Sequence, residues 1–375
     1  MEKLGRDIFI LGMISFFADV SSEAIMPILP FFIYSLGGGV AIGLIMGFGD
    51  AVASISKIFS GKLSDKIGKR KSFMLSGYGL SAISKLFFPL SFEWWHLFIL
   101  RGIERIGKGI RGPPRDALIG DLYIKKRGEA YGIHRALDTA GAVLGSILVI
   151  FLYWFFKLDI KTILIIAALI AFLSLPPILL IKERKIKKVE KKEIGKLPNK
   201  LKKFIAISTI FSLANFSYAF FLLKVGIEKI EYALLYYAFF NIIYAVSAPY
   251  TGKLSDIIGR KTIILLGYIA FTLVCLGFIF INSFSGIFLI FFLILLFVLY
   301  GLVYAFIEGN QKALISDLCI YRGYAQGIFQ MFNGFGVFFA SLIAGILWEI
   351  FPDLIFIYGG ALSLIASIFL AISDI

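Results

Sequence analysis

The sequence predicts an all-α membrane protein, with twelve transmembrane helices in two six-helix pseudo-symmetric bundles. Three observations carry that prediction. The chain of 375 residues is 59% apolar, with a mean hydropathy of +0.90 and 40 Phe. Soluble domains are less apolar than this, so the excess needs a solvent other than water. The apolar residues fall in long runs, many near bilayer-spanning length. Finally, Gly61-Lys-Leu-Ser-Asp65-Lys-Ile-Gly68-Lys-Arg70-Lys71 recurs 191 positions later as Gly252-Lys-Leu-Ser-Asp256-Ile-Ile-Gly259-Arg260-Lys261. Each copy lies between two apolar runs, so the chain reads as two related halves.

Hydrocarbon offers no hydrogen bonds, so a spanning backbone is helical or a closed barrel. Runs such as 263–281 and 287–306 are continuously apolar and lack the alternation of barrel strands. The expected spans are 8–35, 40–61, 72–91, 95–121, 129–154, 161–182, 204–226, 232–252, 262–281, 286–316, 324–350 and 354–373. The first run follows Lys3 and Arg6 like a signal peptide. It is too long for one and contains Asp19 and Glu23, so it reads as a retained helix.

The net charge of +14 could suggest nucleic acid, but much of it sits in short segments between apolar runs. That pattern orients membrane helices. Residues 182–203 hold eleven Lys or Arg against three Glu, and 62–71, 125–127 and 253–261 are also basic. With alternating spans these all fall on one side. The expectation is a multi-pass protein of the cell membrane with both termini cytoplasmic, and no nucleic acid among its partners. Its organisation reads as a first bundle over 1–182, a basic cytoplasmic linker over 183–203 and a second bundle over 204–375. The linker is too polar to pack a core. Cys275 and Cys319 lie in or near apolar segments and form no disulfide framework.

The repeat extends past the first motif. Ala117-Leu-Ile-Gly-Asp121 matches Ala313-Leu-Ile-Ser-Asp317, Arg127-Gly128 matches Arg322-Gly323, and Gly132 and Gly141 match Gly327 and Gly336. The order is the same in both halves, so the repeat is parallel, and parallel halves form a transporter architecture.

The duplicated motif resembles the signature of the major facilitator superfamily, Gly-x-Leu-x-Asp-x-x-Gly-[Arg/Lys]-[Arg/Lys], between helices 2 and 3. The resemblance implies the major facilitator fold. It also implies a cytoplasmic gate at Gly61, Asp65, Gly68, Arg70, Gly252, Asp256, Gly259 and Arg260 that contacts no substrate. Physically, Gly61 and Gly252 would let a helix end pack closely. Asp65 and Asp256 would accept from a helix end or pair with an Arg. Gly68 and Gly259 would supply turns of positive φ. Arg70 and Arg260 are expected on the wet cytoplasmic side. The plain alternative is that these are turn residues and topology charges only. Arg101, Gly107 and Pro113 match the superfamily's helix-4 pattern, with Arg105 where that pattern has Gly and with Lys108 and Arg111 additional. Gly132, Gly141 and Gly145 resemble the helix-5 motif of drug:proton antiporters, although Ser146 stands where Pro should follow. The segment from Asp19 to Pro27 resembles a prokaryotic branch of the superfamily.

Ionisable groups inside a bilayer are expensive and face a cavity or a partner. Most lie in the first half: Asp19, Glu23, Asp50, Lys57 and Lys85, then Arg101, Glu104, Arg105, Lys108, Arg111, Arg115 and Asp116 on the fourth span, then Arg135 and Asp138 on the fifth. Asp19 and Glu23 share a helix face, as do Arg101 and Arg105, so a two-by-two pairing is expected. It would serve either structure or substrate. Two close carboxylates tend to share a proton, which makes Asp19 and Glu23 the first candidates for proton coupling, with Asp50 and Asp138 behind them. Arg111, Arg115 and Arg135 read as gate residues pairing with Asp116, Asp121 or Glu129, or as attractors of an anion. His96 and His134 read as interfacial or packing residues.

The function implied is secondary transport of a small molecule by alternating access, coupled to protons, with efflux of a drug-like or metabolite compound preferred. An organic or phosphorylated anion, recognised by the Arg-rich fourth span, is the alternative, and a divalent cation on Asp19, Glu23 and Asp50 is more remote. No Walker motif is present, so ATP is not the expected energy source. Isolated His and Cys argue against a membrane enzyme, and a duplicated latch argues against a channel. No cofactor or metal is expected. The partners expected are the lipid bilayer, a small-molecule substrate and protons, with the protein working as a monomer.

Overall fold

A computed structural model describes residues 4–122, 127–181, 197–226, 229–319 and 322–375, and among these every regular element is a helix. Among the described residues, eleven helical stretches are long and apolar enough to cross a membrane. The twelfth, Trp94–Leu122, has the length at 29 residues but carries the charges that lower its hydropathy. Two units form, one of Met1–Gly37 with Phe48–Lys191, the other of Gly38–Gly47 with Lys192–Ile375.

The first unit contains α1 (Leu4–Ile25), most of α2 (Leu29–Ile67), α3 (Arg70–Phe87), α4 (Trp94–Leu122), α5 (Arg127–Ile150), α6 (Ile160–Phe172) and α7 (Leu175–Leu180). Here α1 packs along α5, α3 along α4, and α6 against both α1 and α3. Its apolar core includes Leu11, Ile14, Met74, Leu118, Ile119 and Ile178. The second unit contains α8 (Asn199–Ala214), α9 (Ala219–Gly226), α10 (Ile230–Ile258), α11 (Arg260–Ile279), α12 (Gly286–Leu318), α13 (Arg322–Ile350) and α14 (Leu354–Ile372). Its pairs repeat the first unit's scheme: α8 packs with α13, α11 with α12, and α14 with both α8 and α11. This core is aromatic. Phe211 stacks on Tyr268 at 4.0 Å and Phe221 lies 4.7 Å from Tyr300. Large side chains such as Phe155, Phe288 and Phe291 point outward, as suits a lipid solvent.

Several boundaries differ from the sequence reading. The first break falls at 26–28, not at 35–41. Pro27 has no N–H to continue the first helix, and Pro30 fits the opening turn of the next. The stretch 35–41 is helical, with Gly38 at φ 66° interrupting the right-handed run. The seventh span divides at 215–218 into α8 and α9, and the sixth divides before Pro176 and Pro177 into α6 and α7. Helix α8 begins at Asn199, inside the expected linker, while 182–196 of that stretch lie outside the described residues. Outside the spans, Asp159 caps α6 by accepting from the Thr162 amide at 3.3 Å and its hydroxyl at 2.5 Å. Those bonds hold its carboxyl below the usual range.

Candidate functional site

The repeated motif is a helix end, not a loop. Residues 61–67 continue α2 and 252–258 continue α10. Gly68 then takes φ 73° and donates its N–H to the Ser64 carbonyl at 2.9 Å. Gly259 takes φ 95° and donates to Ser255 at 3.1 Å. Only glycine adopts these angles without strain, so the turn expectation fits both. The close-packing expectation fails at the other two glycines. A Cβ on Gly61 would meet only Pro113, at an ordinary 3.5 Å, and one on Gly252 would meet nothing within 4 Å.

Arg70 is buried, with 5% of its surface exposed, contrary to the expectation of a wet position. The guanidinium is enclosed because it gathers two helix ends. It lies 2.6 Å from Asp65 and 3.5 Å from Asp121, and donates to the Ser64 hydroxyl at 2.7 Å. In the second copy Arg260 contacts Asp256 at 2.9 Å, bonds Asp317 and donates to Ser255 at 3.2 Å. Next in chain, Lys71 donates to the carbonyls of Leu179 and Ile181 at 2.8 and 2.9 Å, and Lys261 does the same to Ala371 and Ser373. Matching the motifs on their glycines pairs Arg70 with Lys261. The contacts pair Arg70 with Arg260, and Lys71 with Lys261. The difference is Lys69, an extended residue at φ −114° that the second copy lacks because Gly259 is both the last cap of α10 and the first of α11.

Inside the first unit, the carboxyls of Asp19 on α1 and Asp138 on α5 lie within hydrogen-bonding reach of each other. Asp138 also receives Arg135 at 2.9 Å and lies 3.9 Å from Arg115, which contacts Asp116 at 2.9 Å. Arg101 contacts Glu104 at 2.8 Å and points Nη2 at the Met26 sulfur, 3.3 Å away. Arg105 pairs with Asp50. The two-by-two arrangement therefore fails for Asp19. Its helix packs along α5, so its carboxyl meets Asp138 and not an arginine of α4. Glu23 lies against Gly145 of α5. Of the gate arginines, Arg115 takes Asp116 as expected. Asp121 is held by Arg70, Arg135 takes Asp138, and Arg111 lies 4.2 Å over the Tyr78 ring. The side chain of Glu129 lies outside the described residues. Among the described residues no carboxylate, His and Cys cluster could hold a metal, so Asp19, Glu23 and Asp50 do not converge as the cation reading required.

Other contacts of this interior were not foreseen from sequence. Lys85, buried in α3, donates to the hydroxyls of Ser21 and Ser22 at 3.0 and 2.9 Å. His134 is buried, in keeping with the packing alternative, and its Nε2 lies 3.0 Å from the Ser15 hydroxyl. Ser15 also sits 3.3 Å from the Tyr78 hydroxyl and accepts from Arg115 at 2.7 Å. In the second unit Lys224 and Asp353 form a part-buried pair at 2.6 Å. Their separation in sequence, in different expected elements, gave no signal.

The repeat allows each position to be compared with its counterpart. Ser15, Tyr78 and Arg115 correspond to Ser208, Tyr268 and Gln311, with Ser208–Tyr268 at 3.2 Å and Gln311 donating to Tyr268 at 2.9 Å. Gly141 would place a Cβ 2.5 Å from the Phe16 carbonyl, and Gly336 one 3.3 Å from the Thr209 carbonyl. On that frame, Asp19 and Asp138 correspond to Ser212 and Asn333, which hydrogen-bond each other. One junction thus carries two ionisable groups in the first unit and two neutral groups in the second. The second unit instead lines α10 and α12 with rings: Phe240 lies 5.0 Å from Tyr300 and 5.2 Å from Tyr304, and Tyr244 donates to Glu308 at 2.6 Å.

A duplicated array of spanning helices, with most of its buried ionisable groups in one copy, defines a secondary transporter of the membrane and not an enzyme. The Major Facilitator Superfamily model matches residues 11–341, and the chain belongs to that family. The chain is 42% identical over 384 residues to the uncharacterized MFS-type transporter MJ1317 of Methanocaldococcus jannaschii, covering 98% of this chain and 95% of that one. It is 28% identical over 109 residues to the multidrug resistance protein MdtH of Shigella dysenteriae, 29% of this chain and 27% of that one, in line with the resemblance to drug exporters. The crystal structure of the nucleoside transporter NupG shares the fold, with a TM-score of 0.80 at 15% identity over 97% of this chain and 98% of that one.

Proposed function

We propose that the protein exports a small amphiphilic compound across the cell membrane in exchange for protons, as a monomer with both termini cytoplasmic. The observation that carries the reading is the Asp19–Asp138 carboxyl pair, set where the other copy holds Ser212 and Asn333. Two carboxyls can share a hydrogen bond only if at least one is protonated, so the junction can hold and release a proton. The neutral counterpart argues that the helices need no charge to meet there. Likeness to a multidrug resistance protein supports export, and the basic segments support the orientation. Bundles 1–182 and 204–375 alternate, joined through the basic stretch that begins at 183. The motif copies act as cytoplasmic latches, held by Arg70 and Arg260, with Arg115 and Arg135 nearby as gate residues. Arg101, Arg105, Asp50 and Glu23 line the same interior and position the substrate.

The test is to copy the second unit's pair into the first. The Asp19→Ser/Asp138→Asn variant should fold with little change in thermal midpoint. In liposomes, uptake of ethidium, Nile red or carboxyfluorescein driven by a pH gradient should be present for the parent and absent for the variant. Gradient-driven uptake that persists in the variant would refute the coupling role.

A further inference from the structure

On α4, two cations stand apart from the other three. Arg101, Arg105 and Arg115 each hold a carboxylate. Lys108 and Arg111 do not. Among the described residues no carboxylate oxygen comes within 4.0 Å of either. They lie three apart on α4 and so share a face. The carboxylates that act on Lys108 from farther off are Asp19 and Glu104, and Asp19 acts on Arg111 as well; Glu104 is in contact with Arg101 and Asp19 with Asp138. Arg111 is buried, 5% exposed, with its guanidinium carbon 4.2 Å over the ring of Tyr78. That ring holds the fork in place but uses none of its five donors.

The repeat tests whether the fold itself needs this charge. Gly77 packs against the Cβ of Arg111, and its counterpart Gly267 packs against Ile307. The position of Arg111 is therefore occupied by Ile307 in the second copy, and that of Lys108 by Tyr304. The same helix crossing forms with no charge at either place. Both cations are also additions to the superfamily's helix-4 pattern. A charge that is costly in this environment, dispensable to the packing and without a carboxylate in contact calls for a partner from outside.

We propose that Lys108 and Arg111 bind an anionic group, a carboxylate or a phosphate, on the transported compound. The assignment rests on the transport reading but not on proton coupling. Lys108 supplies a mobile point charge, and Arg111 a planar fork pre-set by Tyr78. The substrate class is then an organic anion.

Equilibrium binding tests this without a gradient. Detergent-purified protein is titrated with benzoate, phenyl phosphate and benzamide, and the thermal midpoint is read. Either anion should raise the midpoint saturably, and benzamide, which carries the ring without the charge, should not. Tighter binding of phenyl phosphate would identify a phosphate site, and tighter binding of benzoate a carboxylate site. Lys108→Gln and Arg111→Gln should each weaken apparent affinity at least ten-fold. Their midpoints without probe report folding, and Lys108→Arg and Arg111→Lys, which keep the charge, should bind better than the glutamines. The Asp19→Ser/Asp138→Asn variant should still bind, so failure of the coupling reading leaves this result readable. The proposal is overturned if neither anion stabilises the parent, if benzamide stabilises equally, or if both glutamine variants bind as the parent does.

Discussion

The contacts of Arg70 make a prediction that sequence matching would reverse. Its guanidinium is 2.6 Å from Asp65, 2.7 Å from the Ser64 hydroxyl and 3.5 Å from Asp121, with its side chain 6% exposed. Hydrogen bonds to charged groups contribute about 1.5–3 kcal/mol. Asp65 and Asp121 are 51% and 37% exposed, so water takes over part of their solvation when the arginine is lost. Arg70→Met should therefore fall in the lower part of that range, roughly 1.5–2 kcal/mol, or roughly 3–8 °C in thermal midpoint for a unit of this size. Arg70→Lys should recover little, because one ammonium cannot reach both carboxylates. Lys69→Met removes a residue that only links two helices, and should stay within about 0.5 kcal/mol. Arg260→Met should give a smaller loss in the second unit, because its side chain is 25% exposed and Asp256 and Asp317 are 63% and 54% exposed. The assay is thermal unfolding in detergent, followed by tryptophan fluorescence. If Lys69→Met were as damaging as Arg70→Met, the pairing of Arg70 with Arg260 would be wrong.

Glycines separate in the same assay. Gly141→Ala meets the Phe16 carbonyl at 2.5 Å and Gly107→Ala the Gly77 carbonyl at 2.6 Å, so both should lower the midpoint by several degrees. Gly132→Ala and Gly252→Ala meet nothing within 4 Å and should be neutral or gain up to about 1 kcal/mol of helix propensity. Gln311→Leu removes the donor to Tyr268 and should lose about 1 kcal/mol, measured as a midpoint shift. Asp159→Ala removes the α6 cap, a loss of about 1 kcal/mol. Because the folded carboxyl of Asp159 is depressed, its contribution is present above the unfolded pKa and fades as pH falls. The parent and Asp159→Ala midpoints should therefore converge in acid.

The architecture was legible because hydrocarbon permits few backbone solutions and because the motif is duplicated. Boundaries were less so. The break at 26–28 comes from Pro27, which reads as a kink inside a continuous apolar run and not as its end, while the uncharged stretch 35–41 mimics a loop and is helical. In the interior, the ionisable residues could be named from sequence but their partners could not. Spacing along one helix suggested Asp19 beside Glu23, facing Arg101 and Arg105. The partner of Asp19 was decided by α1 packing along α5, which no local spacing encodes. The contacts of Lys85 and His134 depended on the same crossings. The slip between motif copies was hidden for a different reason, since matching the most recognisable residues, the glycines, misaligns everything after them.

That slip bears on how a doubled chain can change length. Within a helix, one added residue rotates every later side chain by about 100°, carrying lipid-facing groups into the interior. At the motif turn the first copy has Lys69 where the second has nothing, and the arginine and lysine that follow still reach equivalent carboxylates and carbonyls. The turn absorbs the added residue because one glycine at φ 95° can stand where two residues stand in the other copy. Insertion of a lysine after Gly259 should therefore be tolerated, whereas the same insertion one turn earlier, inside α10, should not.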